Sequence, residues 1–135
     1  MSEATEIRAA LAAHARFYTA FAAGDYEAME ALWSTTAPSL CVHPGSPAIH
    51  GRSGVMASWR SVLERPPAVS ASAAQVAVIR GLAFVTCFEH IGEVKLTATN
   101  VFVWEDGDWL LVHHQAGPVR EEGRAGSEAP RGPLH

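Results

Sequence analysis

The chain has 135 residues, 48% of them apolar, and a formal charge of −4, enough for one domain with one core and too few for two. Ten basic residues against fourteen acidic ones leave no basic footprint for nucleic acid. No apolar run has the length of a membrane span, and the start MSEATEIRAA lacks the basic-then-apolar pattern of a secretory leader, so a cytoplasmic protein with no membrane partner is expected.

Ile7, Ala10, Leu11, His14, Phe17, Tyr18 and Phe21 recur at helical spacing, with Ser2 or Thr5 as N-cap and Gly24 as the stop. Asp25 caps a short second helix with Met29, Leu32 and Trp33 on its apolar face, and Pro38 closes that region. Residues 39–43 read as a short strand and Pro44 to Gly51 as a loop. Ser53 then caps a third helix carrying Val55, Met56, Trp59, Val62 and Leu63, which Pro66-Pro67 ends. Four strands follow, near 69–80, 82–90, 94–104 and 109–116, with the hairpin at Gly107 the clearest turn. This order predicts an α+β domain over residues 1–118, its three helices on one face of a curved antiparallel sheet. Residues 119–135, rich in Gly, Pro and charge, are expected to form a mobile tail.

Antiparallel register then decides which side chains meet. If the Gly107 turn sets Trp104 against Trp109, Phe102 faces Leu111 and Asn100 faces His113, all on one side. The preceding turn pairs Val85 with Asn100 and adds Ala83, Cys87 and Glu89 to that side. His114 falls on the other side with Leu110, Val112, Val101, Val103, Phe84 and Phe88. That second face is also strongly apolar, and three helices cannot cover both, so a homodimer through the outer sheet face is expected.

Several segments carry a family likeness: Phe17-Tyr18 with Ala23-Gly24-Asp25, Trp33, Val42-His43-Pro44-Gly45, Gly51-Arg52, Ser58-Trp59, and the run from Gly107 to Gln115. Over about residues 5–118 the chain resembles the SnoaL-like branch of the NTF2-like superfamily. The resemblance implies a cone-shaped, cystatin-like α+β barrel around a pocket, commonly dimeric, hosting isomerases, cyclases, dehydratases and non-catalytic binders. Beside the ketosteroid isomerase of that superfamily, its oxyanion tyrosine falls on Phe17, its general-base aspartate on His43 and its protonated aspartate on Asn100. The site's location is implied to carry over, while the steroid isomerase chemistry is not.

His43, Asn100 and His113 are therefore the candidate catalytic residues. His43 suits general acid/base work, because an imidazole titrates near neutrality, and the Asn100 amide can donate to an oxyanion. Phe17, Tyr18, Trp33, Cys41, Trp59, Val85, Cys87, Glu89, Phe102 and Gln115 are the candidate pocket residues. The expected ligand is a small, mostly apolar molecule with a carbonyl or hydroxyl, and the expected chemistry is cofactor-free proton transfer. A rival set of His43, His113 and Glu89 matches a metal site in residue type but not in spacing, so no metal is expected. The alternative from another class is a non-catalytic ligand-binding or dimerisation module whose polar residues are structural. His50 is read as shaping its turn, His14 as a core histidine, and Cys41 and Cys87 as small buried hydrophobes.

Overall fold

The computed structural model describes residues 2–120. Helix α1 spans Glu3–Ala23 and is capped by Ser2, whose Oγ accepts from the Thr5 N–H at 3.1 Å. It stops at Gly24, which takes the left-handed conformation at φ 66° that favours glycine in a C-cap. The Gly24 Cα also presses on the end of the third helix. A Cβ there would lie 2.9 Å from Pro66 Cγ and 3.0 Å from the Leu63 carbonyl oxygen. Asp25 caps α2 (Tyr26–Leu32), accepting from the Ala28 N–H at 3.0 Å.

Helix α3 runs Arg52–Glu64, and its N-cap is Gly51, two residues before the expected Ser53, with φ 94° and no side-chain cap. Arg52 fastens this start to α2, donating from Nε to the Ser34 carbonyl at 3.1 Å and from Nη2 to the Glu30 carbonyl at 3.0 Å. Strand β1 is Leu40–Val42. The loop expected after it contains a two-residue strand, β2 (Ile49–His50), too short to show an alternation in sequence. The long strands are β3 (Val69–Ile79), β4 (Leu82–Ile91), β5 (Val94–Glu105) and β6 (Asp108–Pro118).

The six strands form one sheet in the order β2-β1-β6-β5-β4-β3, antiparallel except for β1 beside β6. Ala83, Val85, Cys87 and Glu89 of β4 and Leu96, Ala98, Asn100 and Phe102 of β5 turn to the helices and are buried, as the alternation requires. Against them pack Ala10, Ala13, Phe17, Tyr18 and Phe21 of α1 and Val55, Met56, Trp59 and Leu63 of α3. This α+β arrangement, three helices on a curved sheet, is the predicted one. On the opposite face Phe84 is 37% exposed and Ile79 56%, while Val101, Val103, Leu110 and Val112 are half-buried.

The expected register holds from Trp104↔Trp109 to Phe102↔Leu111 and then breaks. A bulge follows, so Val101 pairs with His113 and Asn100 with His114. Two residues, Val112 and His113, occupy the length of one, and every later side chain changes face. His113 therefore lies on the outer face, and His114 points inward and is 1% exposed. The expectation that Asn100 faces His113, and that His114 serves the outer face, is corrected by this single extra residue. Of the expected tail, Val119 is still fastened, its N–H donating to the Lys95 carbonyl at 3.0 Å. Residues 121–135 lie outside the described residues. No helix among the described residues is long and apolar enough to cross a membrane.

Candidate functional site

Four polar side chains meet beneath α1 in an otherwise apolar interior. α1 contributes Tyr18, β4 Glu89, β5 Asn100 and β6 His114. Asn100 is 0% exposed, and Glu89 and His114 1% each. Such groups are costly to bury unless each finds a partner, and here the partners form a directed chain. Asn100 Oδ1 can only accept, so His114 Nδ1 carries the proton and donates to it at 2.6 Å. Asn100 Nδ2 donates to Tyr18 Oη at 3.2 Å, and Tyr18 Oη donates to Glu89 Oε2 at 2.6 Å. The Cys87 thiol adds a donor to Tyr18 Oη at 3.5 Å. Each bond polarises the next toward the carboxyl of Glu89.

The chain almost closes on itself. His114 Nε2 stands 3.8 Å from Glu89 Oε2, beyond direct hydrogen bonding. With Nδ1 holding the proton, the lone pair of a neutral His114 faces the carboxyl. Burial raises the pKa of Glu89, opposed by the Tyr18 hydrogen bond. Burial first, then the neighbouring imidazoles His43, His113 and His14, hold His114 down at about 3. Burial thus works against charge on both groups, making the Glu89 carboxylate a stronger base than in water and the His114 ring a weaker one. Tyr18 is raised by burial and by the charge of Glu89, so its hydroxyl stays protonated and serves as a donor.

His43 stands apart from this chain. It follows β1, its Nε2 lies 2.9 Å from Ser58 Oγ, and Ser58 Oγ spends its own proton on the Val55 carbonyl at 2.7 Å. His43 Nε2 is therefore the donor, and its Nδ1 keeps the lone pair. Burial lowers its pKa. Its ring is edge-on to Trp59 at 5.0 Å and 6.4 Å from the ring of His114. His43 and Asn100, expected to converge directly, are separated by that second imidazole.

The other expected lining residues divide in the same way. Phe17 and Trp59 pack on His114 at 5.1 and 5.6 Å, Cys41 lies beside it across the β1–β6 ladder, and Val85 pairs with Asn100. Trp33 is buried and bridges to Leu111, and Phe102 is buried one inward position from Asn100. Gln115, expected as a pocket residue, is exposed and pairs with Val42; the bulge carries it outward with His113. Burial pushes Cys41 up to about 12 and Cys87 upward as well, so neither thiol is ionised near neutrality. Among the described residues no group of three His, Cys, Asp or Glu side chains is arranged to hold a metal; the rival set is split by the outward turn of His113.

A family model for the SnoaL-like domain matches residues 10–120. The chain belongs to the SnoaL-like family. Solved structures similar to this SnoaL-like protein include a candidate dehydratase of the NTF2-like family from Streptomyces avermitilis, 28% identical, covering 89% of this chain and 100% of that one, with TM-score 0.80. A candidate calcium/calmodulin-dependent protein kinase type II association domain from Thiobacillus denitrificans is 29% identical over 81% of this chain and 94% of that one, with TM-score 0.69. A candidate ketosteroid isomerase from Parabacteroides distasonis is 18% identical over 78% and 84%, with TM-score 0.66, a likeness of fold. No curated protein matches this chain. The resemblance set the oxyanion tyrosine of the ketosteroid isomerase against Phe17. In this SnoaL-like protein the adjacent Tyr18 puts a hydroxyl into the polar cluster instead.

Proposed function

We propose that this SnoaL-like protein binds a small, mostly apolar molecule bearing a carbonyl or hydroxyl and moves a proton on it without a metal, in an isomerisation, cyclisation or dehydration. The observation that carries the reading is the contact between Glu89 Oε2 and His114 Nε2, whose centres lie 3.8 Å apart. A carboxyl made more basic by burial and an imidazole lone pair meet there, at the end of a hydrogen-bond chain aimed at the carboxyl. Glu89 takes the proton from carbon, and Asn100, whose Nδ2 has a second N–H beside the one given to Tyr18, supplies the donor for the oxyanion that develops. His43, half-buried and with Nδ1 unprotonated, is the relay between this cluster and solvent. A second copy covers the apolar outer face around Phe84, since a face of that composition is otherwise left in water.

Deuterium wash-in tests the chemistry. Cyclic ketones and β-hydroxy ketones are incubated with the protein in D2O, and exchange at the carbon next to the carbonyl is followed by NMR. Glu89→Gln keeps a hydrogen-bond acceptor for Tyr18 and removes the base, so exchange should fall by about 10²-fold or more, with the far-ultraviolet circular dichroism unchanged. Equal exchange in both proteins, or none in the wild type, overturns proton transfer. The near-complete burial of Asn100, Glu89 and His114 favours a second reading, a fold-specifying polar network in a non-catalytic module. That reading expects Glu89→Gln to alter unfolding alone.

A further inference from the structure

β3 loses its register opposite Cys87. Ser72 pairs with Phe88 and Gln75 with Thr86, so Ala73 and Ala74 share the space of one residue. Ala73 is forced to φ 58°, a conformation rare for alanine and kept only where its surroundings hold it. Bulges of this kind collect beside functional sites, where they open or re-aim a strand. Here the strand parts from α1 and leaves a recess of about 340 Å³, walled by His14, Ala15 and Tyr18 on one side and by Ala71, Ser72, Ala73 and Ala74 on the other.

His14 is the unexplained group in that wall. It is 5% exposed, and neither ring nitrogen has a hydrogen-bond partner among the described residues. Burial holds its pKa down to about 4, so near neutrality the ring offers one N–H donor and one lone pair. A hydroxyl or carbonyl complements that pair, whereas an anion would find no opposite charge among the lining residues. One helical turn on, Tyr18 borders the same recess and is the hub of the buried cluster.

We propose that the recess between α1 and the β3 bulge is the ligand's binding cleft. A neutral molecule of one or two rings enters there, hydrogen-bonds to His14 and reaches the Tyr18 hydroxyl. This rests on the reading of the interior as a small-molecule site and adds the ligand's charge, its path and its anchoring residue. The small walls suit such a ligand: four of the seven lining residues are alanines, and the volume lies at the low end for ligand pockets, roughly 300–1,000 Å³.

The test uses 2-naphthol, with 2-naphthoate as its charged counterpart, and the full chain labelled with ¹⁵N. 2-Naphthol should shift the ring nitrogens of His14 and the amides of residues 71–74, and 2-naphthoate should shift neither. His14→Phe keeps the ring and removes the hydrogen bond, and should weaken 2-naphthol about tenfold. Ala74→Trp, at an exposed position, should block the recess and abolish the shifts. Undiminished affinity in both variants overturns the cleft. Shifts confined to the Asn100 side chain and the His114 ring overturn the cleft while leaving an interior site standing. No shift anywhere sinks both.

Discussion

Asn100→Leu isolates the hydrogen-bond chain with little change of volume. The substitution leaves the His114 Nδ1–H, now 2.6 Å from its acceptor, without a partner in a site 1% exposed. A buried donor orphaned in this way costs about 1–3 kcal/mol, and the lost bond from Asn100 to Tyr18 about 0.5–1.5 kcal/mol. Tyr18 keeps the Cys87 donor and its own bond to Glu89, so no further orphan is counted, and the total is about 1.5–4.5 kcal/mol. Urea unfolding with a slope of ~2 kcal/mol/M would show this as a midpoint lower by ~1–2 M. The double variant Asn100→Leu/His114→Phe removes both partners and should recover part of the loss, a coupling that a double-mutant cycle reads directly. A single-variant loss under about 0.5 kcal/mol at unchanged slope would refute the chain, because ordinary surface substitutions have effects of that size.

Stability should fall with acid in a window set by the histidines. His14 and His114 have folded pKa values lowered to about 4 and about 3 from 6.5, so the unfolded chain binds more protons between. Their contribution is complete above pH 6.5 and is lost as pH falls toward those values; Glu89, raised, acts oppositely, losing stability as pH climbs. Urea midpoints between pH 6.5 and 4 should decline, and His14→Phe should flatten the decline; a parallel curve would remove His14 from the account. Gly24→Ala should cost about 1–3 kcal/mol in thermal or urea unfolding, from the positive φ and the Cβ contacts with Pro66 and the Leu63 carbonyl; an unchanged midpoint would show that the α1–α3 corner yields. Phe84→Lys places a charge in the apolar outer face, and sedimentation equilibrium should find one chain where the wild type gives two; a wild type sedimenting as a single chain defeats the dimer outright.

The fold was readable because its signals are long. Helical periodicity runs through residues 7–21, strand alternation through 82–104, and Gly107 marks a turn that the structure places between β5 and β6. β2 escaped notice because two residues cannot alternate. The candidate site was half readable. Asn100 and Glu89 follow from hairpin parity, which the turn at Gly92 preserves. His114 does not, because Leu110 to Val112 are apolar on both faces and two histidines stand side by side, so no change of polarity marks the bulge. His14 and Tyr18 lie four apart on one helix, and their shared face was visible. Their burial above a parted strand was not, since nothing in the alanine- and serine-rich run of β3 announces its irregular pairing.

The doubled residue in β6 makes the inward facing of His114 independent of one residue of strand length. Deleting Val112 would restore even spacing with Leu111 still opposite Phe102, leaving His113 outward beside Val101, His114 inward beside Asn100 and the chain's inventory of ionisable groups untouched. A one-residue shortening at this point would therefore straighten the strand and keep the same imidazole in the interior.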